Sequence, residues 1–347
     1  MANKKTVLAI ITLIILIFNI NLVNAQLDTK YPNYKELEYK GLKYGFYKPI
    51  DYDTNKSYPL VMVLNGFTDT IPHDLVYYKE TFQKNNPCFV LTPICHGNPF
   101  EGGGWYDLFN DTLLRDGKLA IEILENTVHN FNIDTNRLYI HGGSMGGHGT
   151  FGILSKFPET FAAAYIICGG AKVEIAKKLI NIPLWIFHGE LDDVVPIHLS
   201  RNIYNEIIKQ GGSKVRYTVY QGVKHNSWEN ASEEKTLETW LFKQEKGKND
   251  EIPHTTEGLT VEKHQSDYIG NNNILKWELP LKQSNQGNDI WYYIILRNNE
   301  VLVEVDGNIN HYIDPVILDN ESYSYKLIAV NYYFKKSKPT KSVGIKK

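Results

Sequence analysis

The pattern of apolar and polar positions changes character twice along the chain. It opens with an apolar run from Val7 to about Ile20, interrupted by Thr12 and Asn19, with Lys4 and Lys5 ahead of it and Val23-Asn24-Ala25 behind. That order, a positive start, an apolar middle and small residues at the end, is the layout read by signal peptidase. The run is shorter than the ~20 residues a membrane-spanning helix needs. Residues 1–25 are therefore expected to be a signal peptide, which places the protein outside the cytoplasm, secreted or periplasmic, with no stable membrane span after cleavage.

From there to about residue 245, short continuous apolar runs alternate with longer amphipathic stretches. Leu37–Tyr47 reads as a hairpin around Gly41. Pro59–Leu64, Cys88–Thr92, Arg137–His141, Ala162–Ile167, Pro183–Phe187 and Val215–Tyr220 read as strands, most of them buried on both faces. Helices are expected over about His73–Lys84, Thr112–Phe131 and Glu229–Lys243, and between the later strands. Strand alternating with helix predicts an α/β fold, a mostly parallel sheet wrapped by helices. A polar segment with Gly247 and Pro253 then interrupts the pattern. Beyond it strands follow one another without helices, at Ile274–Glu278, Trp291–Arg297, Val301–Val305, Tyr323–Val330 and near Ser342, with Asn298-Asn299 as a tight turn. This predicts a catalytic domain at 26–245, a linker at 246–256 and a small all-β sandwich at 257–347.

Composition removes several function classes. Lys plus Arg (37) nearly balances Asp plus Glu (39), so no broad electrostatic attraction to nucleic acid is expected. Three cysteines are too few for a disulfide scaffold. Cys88 and Cys95 could pair in an oxidising compartment, but both lie in or beside an apolar run and read as buried free thiols.

The chemistry gathers around Gly142-Gly143-Ser144-Met145-Gly146, a G-x-S-x-G pattern between a strand and a helix. Such a turn holds a serine in a strained conformation and tolerates only small neighbours, while the helix start offers main-chain N–H groups, Met145 among them, to an oxyanion. A serine needs a base, and the base an orienting acid, in chain order Ser, Asp or Glu, His. Asp192 or Asp193, after the strand ending at Phe187, can supply the acid, and His225 the base. Asp192 follows Ser144 by 48 residues and His225 follows Asp192 by 33, room for a strand–helix unit each. His141, His148 and His188 read as packing or hydrogen-bonding groups. No histidine or cysteine spacing points to a metal, and no cofactor is implied.

His188-Gly189-x-x-Asp192-x-x-Val195-Pro196, His225-x-x-Trp228, Gly143-Ser144-Met145-Gly146-Gly147 and Phe161-Ala162-Ala163-Ala164 to Cys168-Gly169-Gly170 together resemble the α/β-hydrolases grouped with dienelactone hydrolases and prolyl-oligopeptidase-type esterases. The resemblance covers about Glu36 to Lys243. It implies the α/β-hydrolase fold, Asp192 as the acid, and hydrolysis of carboxylic esters, with secreted members acting on acylated plant polysaccharides or polyesters. The group usually has His-Gly after its first buried strand; this chain has Asn65-Gly66-Phe67, with the N–H of Phe67 implied as the second oxyanion donor. The tail from about Thr255 resembles a fibronectin type III domain, through Trp277 and Tyr323-x-Tyr325-x-Leu327-x-Ala329-Val330.

A loop with Glu101-Gly102-Gly103-Gly104-Trp105-Tyr106 remains. Trp105 and Tyr106, with Trp228, could wall a substrate site for a sugar or aromatic acyl group, or Trp105 could cap the core. The expectation is a serine carboxylesterase for short-acyl or aromatic esters, with an acylated polysaccharide as a candidate substrate. A serine peptidase and a non-catalytic binding protein on the same scaffold are the alternatives.

Overall fold

Strands made of Val, Leu, Ile and aromatic residues on both faces need cover on both faces, and the chain up to Tyr220 builds that arrangement. The computed structural model describes residues 31–67, 75–97, 103–248, 251–266, 270–280, 289–315, 317–318 and 321–345. The expected signal peptide and the Glu101-Gly102 pair lie outside the described residues. Among the described residues, no helix is long and apolar enough to cross a membrane.

The first unit, up to Glu233, holds an eight-stranded sheet in the order β1-β2-β4-β3-β7-β8-β9-β10. β1 (Tyr34–Tyr39) and β2 (Leu42–Tyr47) form the expected hairpin, turning through Lys40 and Gly41 at φ 49° and 80°. β3 (Tyr58–Leu64) and β4 (Phe89–Pro93) are buried at every position, and β3 pairs in parallel with β4 and with β7 (Ile133–Gly143). β8 (Ala163–Ile167), β9 (Leu184–Gly189) and β10 (Val215–Tyr220) extend the sheet, all parallel. A short ribbon of β5 (Tyr106–Asp107) and β6 (Thr112–Leu113) lies in the long loop. Helices α1 (Glu80–Asn85), α2 (Arg115–Asn130), α3 (Met145–Lys156), α4 (Ala176–Leu179), α5 (His198–Lys209) and α6 (Trp228–Ser232) connect the strands. Leu60, Met62 and Leu64 of β3 share one core with Leu119 and Ile123 of α2 and Phe151 and Leu154 of α3. This is the fold expected from the alternating pattern.

The expected helix over Glu229–Lys243 is divided. α6 ends at Ser232, whose hydroxyl donates to the Glu229 carbonyl at 2.7 Å. A serine that bonds its own turn in this way competes with helix propagation. The chain resumes as α7 (Leu237–Lys243), which belongs to the second unit, Glu234–Lys347. The division therefore falls ahead of the boundary at residue 245 expected from the sequence. The cause is aromatic: Trp240 of α7 stacks on Trp291 at 5.7 Å, and the Trp291 indole N–H donates to Thr236 Oγ1 at 3.1 Å.

That second unit contains two antiparallel sheets. One is β11 (Thr260–Ser266), β12 (Gly270–Lys276) and β15 (His311–Asp314). The other is β14 (Glu300–Asp306), β13 (Ile290–Arg297), β16 (Tyr323–Asn331) and β17 (Val343–Ile345). Leu275 and Trp277 share a core with Tyr293, Ile295, Tyr325 and Leu327. The β13–β14 turn uses Asn298 and Asn299 at φ 52° and 70°, the left-handed pair that a two-residue hairpin requires. Cys88, Cys95 and Cys168 are all free and buried.

One buried residue of β7 makes the fold sensitive to acid. His141 stacks on Tyr165 at 4.1 Å with the planes 12° apart, and its Nε2 has no hydrogen-bond partner. Burial pushes its pKa down to about 3 from 6.5. The unfolded chain thus takes up this proton from about pH 6.5 downward while the native state refuses it, so stability present above 6.5 is lost as pH falls toward 3. His141→Phe should move the acid unfolding midpoint to lower pH, as followed by circular dichroism. An unchanged midpoint would show that another group controls acid unfolding.

Candidate active site

The site begins with a turn at which strand, helix and neighbouring strand approach closer than side chains allow. A Cβ on Gly146 would lie 2.2 Å from the Leu64 carbonyl oxygen, and one on Gly142 would lie 2.4 Å from that of Gly146. Ser144, between them, has φ 55° and ψ −119°, a strained region that costs a non-glycine residue about 1–3 kcal/mol. The tight turn is held by Ser144 N–H donating to Ile167 O at 2.9 Å and by α3 starting at Met145. Met145 is the first helical residue, so its N–H has no acceptor within the helix.

His225 stands against Ser144 from the loop after β10. Its Nε2 is 2.9 Å from Ser144 Oγ, and its Nδ1 is 2.8 Å and 3.0 Å from the two oxygens of Asp192. A carboxylate only accepts, so Nδ1 carries the proton and Nε2 is left to accept from the serine hydroxyl. Asp192 Oδ1 also accepts from the N–H groups of Val194 and Val195, both at 2.9 Å. The Asp192 side chain is fully buried, whereas that of His225 is 18% exposed. Asp193 points elsewhere, to an exposed pair with Lys224 at 2.9 Å. The loops carrying Asp192 and His225 are laced together by Leu191 N–H to Val223 O at 2.8 Å and Glu190 N–H to Tyr220 O at 2.9 Å. A Cβ on Gly189 would lie 2.1 Å from Lys224 O, so this contact too depends on a glycine.

Cys168 lies behind this group at φ 40°. Ligand atoms of Cys168, Asp192 and His225 fall within 4.8 Å of one another. Burial pushes the Cys168 thiol up to about 12, which disfavours the thiolate a metal takes, and both Asp192 oxygens already accept from N–H donors. His148 is pinned to Gly170 through Nδ1, and burial lowers its pKa.

The loop after β3 reaches over the elbow. A Cβ on Gly66 would lie 3.6 Å from the Gly143 carbonyl oxygen and 3.9 Å from Ser144 Cβ, which puts Phe67, next in the chain, beside the serine. Asn65, at the usual histidine position of the resembled group, is buried and acts as an extra stretch of backbone. Its Nδ2 donates to Cys95 O at 3.1 Å and its Oδ1 accepts from Cys95 N–H at 2.9 Å. The Asn65 carbonyl in turn accepts from the Trp105 indole at 3.0 Å.

That bond corrects the expected aromatic wall. Trp105 is fully buried, packed where a Cβ on Gly149 would lie 2.5 Å away. Tyr106 is also buried, against Gly152, with its hydroxyl donating to Asp111 at 2.7 Å. Trp105 braces α3 and the Asn65 loop, Tyr106 braces α3, and neither presents an open face to a substrate. Gly149 and Gly152, three residues apart on α3, are the sequence signal that could have placed large groups on that helix face. His188 is hydrogen-bonded at the end of its strand, as read from the sequence, whereas the part played by Asn65 was missed, because a polar side chain that bonds backbone has no sequence spacing. Trp228 remains open, 42% exposed and edge-on to His225 at 5.5 Å.

Fold and elbow together define an α/β-hydrolase fold. Residues 107–238 match the family described as Phospholipase/Carboxylesterase. A solved thermostable esterase superposes with a TM-score of 0.58 at 33% identity, covering 63% of this chain and 64% of that one. A curated relative is a bifunctional acetylxylan esterase/xylanase of Neocallimastix patriciarum, 27% identical over 47% of this chain and 23% of its own length. The chain thus spans less than a quarter of that relative and under two thirds of the esterase.

The elbow makes a sharp steric test. Gly143→Ala meets nothing closer than 3.9 Å and should leave folding and turnover near wild type. Gly146→Ala must displace β3 backbone and should cost about 1–3 kcal/mol of stability or most of the activity, the scale of overpacking in a rigid interior. Equal melting temperatures and rates for the two variants would refute this account of the turn.

Proposed function

We propose that this protein hydrolyses carboxylic esters through an acyl-enzyme on Ser144, with His225 as base and Asp192 as orienting acid. The observation that carries the reading is the single imidazole of His225 bridging Ser144 Oγ at 2.9 Å and a buried carboxylate at 2.8 Å. Neutral His225 takes the serine proton through Nε2 as Oγ attacks the ester carbonyl. The main-chain N–H groups of Phe67 and Met145 hold the oxyanion. The imidazolium, stabilised by Asp192, then protonates the departing alcohol, and water repeats the sequence to release the acid. The match to a carboxylesterase family and the 33% identity to a solved esterase support ester over amide bonds.

The substrate class we favour is a short-acyl or aromatic ester carried on a polysaccharide outside the cell. The relative named as an acetylxylan esterase/xylanase supports the acetyl group and the polymer. The apolar run at Val7–Ile20 supports export. Trp228, open beside the base, is the aromatic face for a sugar or phenolic ring. The three- and four-stranded sheets of the second unit support its reading as a fibronectin type III-like sandwich.

Ser144→Ala should fold and lose ester hydrolysis by ~10³-fold or more. Asp192→Asn should come close to that loss and Asp193→Asn should stay within a few-fold of wild type, measured as kcat/KM on a soluble acetyl ester. A crippled Asp193→Asn beside an active Asp192→Asn would move the acid. Across esters of one alcohol, acetyl and feruloyl should turn over faster than palmitoyl, and Trp228→Ala should weaken the feruloyl ester most. Equal turnover of palmitoyl would remove the substrate class while leaving the triad intact.

A further inference from the structure

Behind the acid lies a second histidine that the reaction itself does not use. His188, at the end of β9, is fully buried. Its Nε2 is 2.9 Å from Val195 O and 3.2 Å from Asp192 Oδ2. Both neighbours are acceptors only, so Nε2 must carry a proton. On the other side of the ring, Nδ1 is 2.8 Å from Ser200 Oγ on α5, and Ser200 Oγ is 2.8 Å from Tyr217 OH on β10. Ser200 Oγ has one proton and two acceptors in reach, Nδ1 and the Ile197 carbonyl at 3.0 Å. Burial disfavours an imidazolium here, so the proton goes to Nδ1, Tyr217 donates to Ser200, and His188 is neutral. Three separate elements, β9, α5 and β10, thus end on one oxygen of Asp192.

Resting on the reading that Asp192 is the triad acid, we propose that His188 is a positioning residue for it, fixed as the Nε2–H tautomer by the Ser200–Tyr217 hydroxyl pair. Asp192 then has four N–H groups around it: those of His225, Val194 and Val195 donate to it, and that of His188, shared with the Val195 carbonyl, stands 3.2 Å from Oδ2. A buried carboxylate needs such donors to stay ionised. The fourth also fixes its rotation, so that a lone pair faces His225. A donor on Asp192 draws off negative charge that would otherwise favour the imidazolium of His225. Removing it should therefore let His225 hold its proton to higher pH, and the acid limb of kcat/KM should move up. The titratable and charged groups around His188 are Asp192, His225, His148, Tyr217, Cys168 beside Asp192, and Arg201 beside Tyr217. Burial lowers the His188 pKa, in keeping with a neutral ring.

The test uses the full chain. His188→Gln places an amide N–H near the Nε2 position and should keep kcat within a few-fold of wild type. His188→Phe keeps the ring shape without the donor, and should lower kcat about 10- to 100-fold, the range for a hydrogen bond to a charged group. KM should change little, and the acid limb should shift upward. Ser200→Ala, which leaves the ring but frees its tautomer, should give a smaller loss in the same direction. If His188→Phe does not fold, His188→Gln against Ser200→Ala decides: wild-type kcat and an unmoved acid limb in Ser200→Ala overturn the proposal. A folded His188→Phe with unchanged kcat and pH profile overturns it as well. Full activity in Ser144→Ala would instead overturn the triad reading, which separates the two failures.

Discussion

The whole site depends on a close approach of main chain to main chain. Where β7 passes into α3, the backbones of Leu64, Gly142 and Gly146 lie nearer than any Cβ permits. This contact lifts Ser144 out of the sheet at φ 55° and points the first turn of α3 at the place where negative charge would form. Strain at one residue is held by packing elsewhere. Phe151 and Leu154 of α3 sit in the core with Leu60, Met62 and Leu64 of β3, and their burial, at roughly 25 cal/mol per Å² of apolar surface, is what keeps a serine in a conformation it would otherwise leave. Asp192 and His225 need no such strain. They sit on loops at the same edge of the parallel strands, joined by main-chain bonds between Glu190-Leu191 and Tyr220-Val223.

Much of this was legible before any coordinates, because the elements that build it have strong local signals. Buried parallel strands read as unbroken apolar runs, and the elbow reads as small residues around a serine. Asn298-Asn299 reads as a turn because asparagine tolerates positive φ better than other side chains. What was illegible has a common origin in tertiary context. β11 and β15, Thr-Val-Glu-Lys-His-Gln-Ser and His-Tyr-Ile-Asp, are polar or short and take their form from the strands beside them. Trp105 on a glycine-rich loop reads equally well as substrate wall or core. Only the glycine-lined face of α3 decides between the two, and it takes the ring inward. Asp192 and Asp193 adjoin in sequence, and the carboxylate that receives the Val194 and Val195 N–H groups is the one turned toward His225.

The second unit follows different rules. Its sheets close over Trp277, Tyr293 and Tyr325, and a buried polar group links them: Asp314 accepts from Arg297 at 3.1 Å and from the Tyr325 hydroxyl at 2.8 Å. The stack of Trp240 on Trp291 adds α7 to the same body. A helix whose sequence continues the hydrolase pattern is thus claimed by aromatic residues that come much later in the chain.

Asn65 has a consequence beyond geometry. Its amide ties the loop carrying Phe67 to Cys95 with one donor and one acceptor, as a pair of adjacent strands would. An imidazole in that place would change its charge, and with it the number of protons it can share, within the range where a histidine base must work. An amide has no such transition. The anchorage of the loop is therefore indifferent to proton concentration across that range.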